Sequence, residues 1–262
     1  RDYAVTGVQT CALPIYSEIH ALNIPAKLCI RVNRLKISKE RLQILFKEIG
    51  IEAQVTSFAN DALIISERQN LFKTELFKKG FFEVQDVSSQ KVAEMMQVEP
   101  GMRVIDACAG GGGKSLHIAS LMENKGKIIS LDTEERKLIE LKKRASRNGV
   151  NIIETRLIDS NKIIKRLHES ADRLLLDVPC SGLGVLKRNP DAKWKLSFEK
   201  IEVVKNLQMK ILTEYTSMLK KDGILIYSTC SILPSENELQ IKKFLSLTNN
   251  FMIIDEIKIS PA

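Results

Sequence analysis

Residues 104 to 115 read VIDACAGGGGKS: an apolar run carrying an acid, Asp106, then four consecutive glycines and a segment of helix formers. A strand that turns through glycine into a helix lets backbone amides approach a ligand closely at the helix N-terminus, because glycine brings no Cβ into the space. Spacing excludes two common cofactor loops. A phosphate cradle needs G-x-x-x-x-G-K-[ST], and Cys108 stands where the first glycine before Gly113-Lys114-Ser115 belongs. The dinucleotide fingerprint needs G-x-G-x-x-G, which four glycines in a row followed by Lys114 do not supply.

Outward from this stretch the chain alternates regularly. Strands are predicted at 103–108, 127–132, 151–158, 173–178, 223–229 and 251–259, and helices at 115–123, 134–147, 160–168, 198–220 and 235–246, the last opened by SENE at 235–238, which reads as a capping box. Such alternation predicts an α/β fold with a mostly parallel, doubly wound sheet over residues 85–262. Upstream, KLCIRVN, IEAQVTSF and DALIIS read as strands, and SKERLQILFKEIG and NLFKTELFKKG as helices. They form a small α+β subdomain, residues 17–84. After FFEVQD a helix begins at VSSQKVAEMMQV, stopped by Pro100-Gly101.

The strand ends carry the chemistry. The second strand closes on Asp132, about 20 residues beyond the glycines, where a carboxylate can accept both hydroxyls of a ribose. The third ends at Asp159 and the fourth at Asp177. A glycine loop, a ribose acid and an acid after each of the next two strands is the layout of an S-adenosylmethionine site, which needs no pyrophosphate cradle. Asp132 and Asp159 read alternatively as helix-capping or turn acids.

Two strands end in small polar turns around cysteine: LLLDVPCSGLG at 174–184 holds Cys180, and GILIYSTCSILP at 223–234 holds Cys230. Carbon 5 of a pyrimidine is a poor nucleophile. A thiolate that adds to carbon 6 turns carbon 5 into a nucleophilic enamine, so a cysteine beside a methyl donor is what pyrimidine C5 methylation requires. Asp177 can hydrogen-bond ring nitrogen 3 as charge develops there. The bland alternative for each cysteine is a small buried hydrophobe. Spacing alone does not say which thiol attacks.

Through VQDVSSQ, DACAGGGGKS, LDTEERK, DVPCSGLGVLKRNPDAKW and YSTCSILPSENE, residues 81–247 resemble the Sun/RsmB family of RNA cytosine-5 methyltransferases. The resemblance implies a Rossmann-like class I methyltransferase fold, preceded by a small RNA-binding-like subdomain. It implies S-adenosylmethionine as cofactor and RNA as partner, with a cytosine of small-subunit rRNA as target. It makes Cys230 the nucleophile and Cys180 an aid to product release, whereas DNA cytosine methyltransferases use the Pro-Cys cysteine. It assigns Cys108, Ala109, Gly110, Gly111, Gly112, Gly113, Lys114, Asp132, Asp159 and Asp177 to the cofactor. The family usually has Ala-Pro where this chain has Gly110-Gly111, which predicts a looser loop that keeps its amides. Within 180–197, the longest connection, Lys187, Arg188, Lys193 and Trp194 are expected to bind RNA through phosphates and stacking; the alternative packs Trp194 inward.

Composition agrees with a basic intracellular enzyme. The 262 residues carry 40 Lys and Arg against 32 Asp and Glu, a formal charge of +8 that leans toward an anionic partner or reflects a lysine-rich solvated surface. Five widely spaced cysteines without a C-x-x-C pair argue against a disulfide framework or a metal site, and for a reducing cytoplasm. No apolar run approaches the roughly 18–20 residues that span a bilayer, so a soluble chain, taken as a monomer, is expected. VTGVQTCALPI at 5–15 resembles a translated sequencing adapter, so residues 1–16, Cys11 included, are set apart. On that basis the chain reads as a fragment without its true N-terminus; at the other end a doubly wound sheet can stop at Ala262, the alternative being a closing hairpin strand cut off. Rival readings are a tRNA-modifying relative and a catalytically silent RNA-binding assembly protein of the same fold.

Overall fold

The computed structural model describes residues 20–259; residues 1–16 and Cys11, set apart above, lie outside that range. The described residues divide into two compact units, one of Lys27–Asp177 with Glu214–Ser228, the other of Val178–Thr213 with residues 20–26 and 229–259.

The first unit holds two sheets. The smaller contains β1 (Leu28–Val32), β2 (Ala53–Val55), β3 (Ala62–Ile65) and β4 (Phe82–Val84) in the order β2-β3-β1-β4, antiparallel throughout. Helix α1 (Lys39–Glu48) starts where Ser38 accepts from the Arg41 amide at 3.2 Å, and it buries Leu42 and Phe46. Phe46 meets Phe82 of β4 with ring centroids 5.2 Å apart, a tilted pair closing this core. A single helical turn, α2 (Glu75–Lys78), precedes β4, and the predicted helix over 70–80 shrinks to that turn and a 3-10 turn at Leu71–Lys73. Strand β4 is the one the sequence hid. It is three residues long, and its middle residue, Glu83, is a buried acid that breaks the apolar pattern.

The larger sheet follows helix α3 (Val87–Met95). Strands β5 (Arg103–Asp106), β6 (Lys127–Asp132), β7 (Ile153–Leu157), β8 (Ala171–Asp177) and β9 (Leu219–Ser228) pair in parallel in the order β7-β6-β5-β8-β9. Helices α4 (Gly113–Leu121), α5 (Glu135–Asn148) and α6 (Lys162–Arg166) connect β5 through β8. Strand order reverses between β5 and β8, so the carboxyl ends of these two strands form the switch point where open α/β sheets bind ligands. Leu138, Leu141 and Ala145 of α5 are buried at helical spacing, and Leu141 and Ala145 share an apolar core with Val104, Leu116 and Ile128.

Strand β9 begins four residues earlier than predicted, and the helix predicted over 198–220 stops at Tyr215. Leu219 stands opposite Ala171 and Ile224 opposite Arg173, so the intervening Lys-Lys-Asp-Gly bulges out of the ladder.

The second unit contains the turn α7 (Ala192–Lys195), most of α8 (Phe198–Tyr215) and α9 (Glu238–Leu247). No strand forms at 251–259, against expectation. The stretch alternates as a strand should, but a strand needs a ladder partner, and here Met252 and Ile254 are 78% and 73% exposed. Among the described residues no helix is long and apolar enough to cross a membrane.

Candidate active site

Asp106 closes β5 at 1% exposure. The Ser115 hydroxyl donates to its Oδ2 at 2.6 Å and Oδ1 is buried without a partner, so burial pushes the carboxyl up to about 6. Beyond it the chain turns through the glycines. The Gly110 amide donates to Asp132 Oδ2 at 2.8 Å, and the Glu134 amide to Asp132 Oδ1 at 2.9 Å. Backbone therefore orients the predicted ribose acid from both sides. Gly112 sits at φ +81°, where a Cβ would lie 2.3 Å from the Leu141 side chain; at Gly110, φ +54°, a Cβ would meet nothing within 4 Å.

The loop's carbonyls are held by arginines. Arg144 of α5 donates to the Gly111 carbonyl and Arg31 of β1 to that of Gly113, each at 2.6 Å. Burial draws Arg31 down to about 10, with Gln85 as its other acceptor. Glu83 of β4 completes this seam by accepting from Arg144, Arg147 and Asn148. Burial alone would raise the Glu83 carboxyl, but Arg144 foremost outweighs it and holds it below the usual range. A second link joins His117 of α4 to Asp61, Nε2 to Oδ2 at 3.2 Å, and burial pulls the imidazole down to about 4. A neutral His117 thus donates from Nε2.

At the end of β8, Asp177 receives Lys114 Nζ on Oδ2 and the Ser228 hydroxyl on Oδ1, both at 2.5 Å. The β8–β9 register puts Asp177 opposite Ser228. Asp159 follows β7, exposed, and accepts from the Ser160 hydroxyl at 2.9 Å. Cys108 is half-buried; burial, then Asp106, pushes its thiol up, so it stays protonated. Ala109 ties the loop down by donating to the Leu131 carbonyl at 2.9 Å. The donor set fits a ligand with a ribose and a positive charge: Asp132 and Asp177 keep lone pairs to spare, and Gly110 leaves open space.

The second unit brings the other two predicted residues together. Cys180 Sγ lies 3.1 Å from Cys230 Sγ, and the Cys230 amide points at Cys180 Sγ at 3.3 Å. The hydrogen bond with Cys230, then burial, pushes the Cys180 thiol up, so Cys180 keeps its proton. Gly184 donates to the Cys230 carbonyl at 2.9 Å, and any Cβ there would strike that oxygen at 2.8 Å. Beneath the turns lies a residue to which the sequence reading gave no role. SENE is not a capping box: α9 starts at Glu238 with Asn237 at its N-cap and no side-chain cap bond, while Glu236 closes a 3-10 turn, fully buried. Its carboxylate accepts from Ser181 and Ser231, the neighbours of the two cysteines.

In the 180–197 connection Trp194 is 80% exposed, which excludes the inward-packed alternative, and Lys193 Nζ stands 5.3 Å from its ring centroid. Lys187 is half-buried and Arg188 exposed.

Comparison with known proteins decides the family. Residues 93–260 match the model for the 16S rRNA methyltransferase RsmB/F, and residues 17–71 match the ferredoxin-like domain of RsmF/B-like methyltransferases. The chain belongs to the RsmB/F methyltransferase family. Members of this family are S-adenosylmethionine-dependent methyltransferases. The probable ribosomal RNA small subunit methyltransferase B of Bacillus subtilis (strain 168) is 37% identical over 223 residues, which is 85% of this chain and 50% of that protein. The chain spans about half the length of the curated relatives it matches. Among solved structures, that of PH0851 superposes with a TM-score of 0.87 at 32% identity, over 91% of this chain and 54% of that one. A methyltransferase homolog protein from Pyrococcus horikoshii gives 0.78 at 33%, over 87% and 72%. The Rossmann-like fold expected from the resemblance is present, and the small α+β subdomain expected before it is ferredoxin-like.

Proposed function

We propose that this chain is the catalytic part of an enzyme that transfers a methyl group from S-adenosylmethionine to carbon 5 of a cytosine in small-subunit ribosomal RNA. The observation that carries the reading is the thiol pair, Cys180 and Cys230, 3.1 Å apart at the turns that follow β8 and β9. The matched relatives, ribosomal RNA small subunit methyltransferases B by name, support the rRNA target.

Glycines 110–113 and Asp132 hold the cofactor, with Asp132 on the ribose hydroxyls, and Cys108, Ala109, Lys114, Asp159 and Asp177 complete the binding surface. When bound, S-adenosylmethionine supplies an electrophilic methyl group. Cys230, the more exposed of the two thiols, adds as thiolate to carbon 6 of the cytosine and makes carbon 5 nucleophilic. Asp177, paired with Lys114, hydrogen-bonds ring nitrogen 3 while charge accumulates there. Cys180 is protonated during attack; after methyl transfer it releases that proton to solvent and as thiolate takes the carbon 5 proton, whereupon Cys230 leaves as thiolate and the ring regains its double bond. Lys187, Arg188, Lys193 and Trp194 bind the RNA strand. The target base reaches the thiols unpaired or extruded. Two adjacent thiols kept reduced fit a cytoplasmic enzyme.

The test is mass spectrometry after incubation with 5-fluorocytosine RNA and S-adenosylmethionine, since fluorine blocks the last proton removal. Wild type and Cys180→Ala are both expected to form a persistent adduct at Cys230 and Cys230→Ala none; on ordinary cytosine RNA only Cys180→Ala is expected to keep it. An adduct at Cys180 reverses the two roles. No adduct from wild type that binds cofactor makes the chain a silent RNA-binding relative.

A further inference from the structure

Glu236 stands outside every role assigned so far, yet it is a carboxylate at 0% exposure. Burying an ionised carboxylate costs several kcal/mol unless hydrogen bonds replace its water. Here they do. Oε1 accepts from the Ser181 amide at 2.8 Å and from Gln208 Nε2 at 3.0 Å, and Oε2 accepts from the Ser181 and Ser231 hydroxyls. An ionised carboxylate has about four lone-pair sites, and these four donors match them. Gln208 also donates to the Pro179 carbonyl at 2.9 Å, and Gln240 of α9 backs it by donating to Gln208 Oε1 at 3.2 Å.

The donors are not scattered. Pro179 and Ser181 flank Cys180, and Ser231 follows Cys230. One buried acid therefore grips the chain beside both thiols. The turns also meet directly, through the Gly184 amide on the Cys230 carbonyl at 2.9 Å and the Ser181 and Ser231 hydroxyls 3.0 Å apart. A pair of sulfurs at 3.1 Å requires both turns to be held in register.

We infer that Glu236 is a positioning residue that locks the Cys180 and Cys230 turns together and so sets the thiol pair in its reactive arrangement. The inference rests on the methyltransferase reading only for its effect on turnover; the effect on thiol geometry stands without it. Glu236→Gln is the informative substitution. Its carbonyl can replace Oε1, and its amide can face the two serine hydroxyls, which turn from donors into acceptors. The turns then stay joined through neutral, weaker bonds in place of charge-assisted ones. Glu236→Ala removes the carboxylate and leaves the turns joined by those two direct bonds alone.

Two measurements on the full chain test this. Dibromobimane fluoresces when it bridges two neighbouring thiols, and peptide mapping identifies the Cys180–Cys230 cross-link. Adduct formation with 5-fluorocytosine RNA is followed in parallel, with cofactor and RNA affinity measured separately. For Glu236→Gln, cross-linking and adduct formation are expected to slow about tenfold with both affinities kept, and for Glu236→Ala about a hundredfold. Should Glu236→Ala fail to fold, as circular dichroism would show, Glu236→Gln decides the matter. Wild-type rates of cross-linking in a folded variant overturn the inference, as does a wild-type protein that does not cross-link at all. If cross-linking slows but wild type never forms the RNA adduct, the positioning role holds and the cytosine-methylation reading falls.

Discussion

The glycine loop after β5 and the two thiol turns after β8 and β9 are each a few residues long, and each is held in a different way. Backbone fixes the first: the amides of Gly110 and Glu134 aim Asp132, and the carbonyls of Gly111 and Gly113 rest on arginines. Side chains fix the second, through a buried carboxylate 55 positions along the chain from Ser181. A side-chain-held turn is only as good as its buried partner.

The sharpest separation of the two regions comes from Cys230→Ala. It is expected to lower methyl transfer by at least about 10,000-fold while leaving cofactor affinity unchanged in calorimetry. A matching fall in cofactor affinity would break the comparison. Glu83→Ala should act on the loop alone, because it strands Arg144 and Arg147 in the seam: a loss of about 3–5 kcal/mol in urea unfolding, with weaker cofactor binding and an unchanged bimane cross-linking rate.

Acid unfolding sharpens the picture of the loop region. His117 is held neutral down to about 4, so between its ordinary 6.5 and that value the unfolded chain takes a proton that the folded chain refuses, and stability falls as pH falls. Asp106 runs the other way. Its carboxyl, raised to about 6, binds a proton in the folded chain first, and the stability this contributes is complete below 3.8 and lost as pH rises through 6. The two slopes oppose each other across one window. Relative to wild type, Asp106→Asn should lose a few kcal/mol between pH 7.5 and 4, and His117→Gln should gain; urea melts across that range read both. Equal slopes in all three proteins would mean that neither group titrates as its burial requires.

Smaller effects follow. Asp132→Asn keeps the shape but replaces a charged acceptor, so cofactor affinity should drop about tenfold with thiol cross-linking intact. Gly111→Pro restores the residue usual in the family. Gly111 is not left-handed and a Cβ would press only on the movable Arg144 guanidinium at 3.2 Å, so the variant should gain about 0.4–1 kcal/mol in thermal unfolding.

What the sequence reveals divides along the same line. The strand-glycine-helix passage, the acids at the ends of β6 and β8 and the paired cysteine turns are local patterns, written in neighbouring residues, and the structure forms them. Glu83 and Glu236 are different. Each is an ordinary acid in sequence, and its meaning depends on partners more than 50 positions away, Arg144 and Ser181. SENE illustrates the trap: the spacing of Ser235 and Glu238 satisfies a capping rule, but the helix starts with Asn237 at its N-cap and no side-chain cap bond. The stretch 251–259 fails for the complementary reason, since alternation describes a strand's faces and says nothing about whether a ladder partner exists.

The charged seam between the small sheet and the glycine loop has a thermal consequence. Desolvation of ionic groups becomes less costly on heating, whereas apolar burial levels off. The contacts of Glu83 with Arg144 and Arg147 and of Arg31 with Gly113 should therefore outlast much of the apolar packing on either side of them as temperature rises. Melting in a calorimeter should show the ferredoxin-like sheet and the Rossmann-like sheet giving way in one cooperative endotherm, two cores coupled by a joint that tightens with heat.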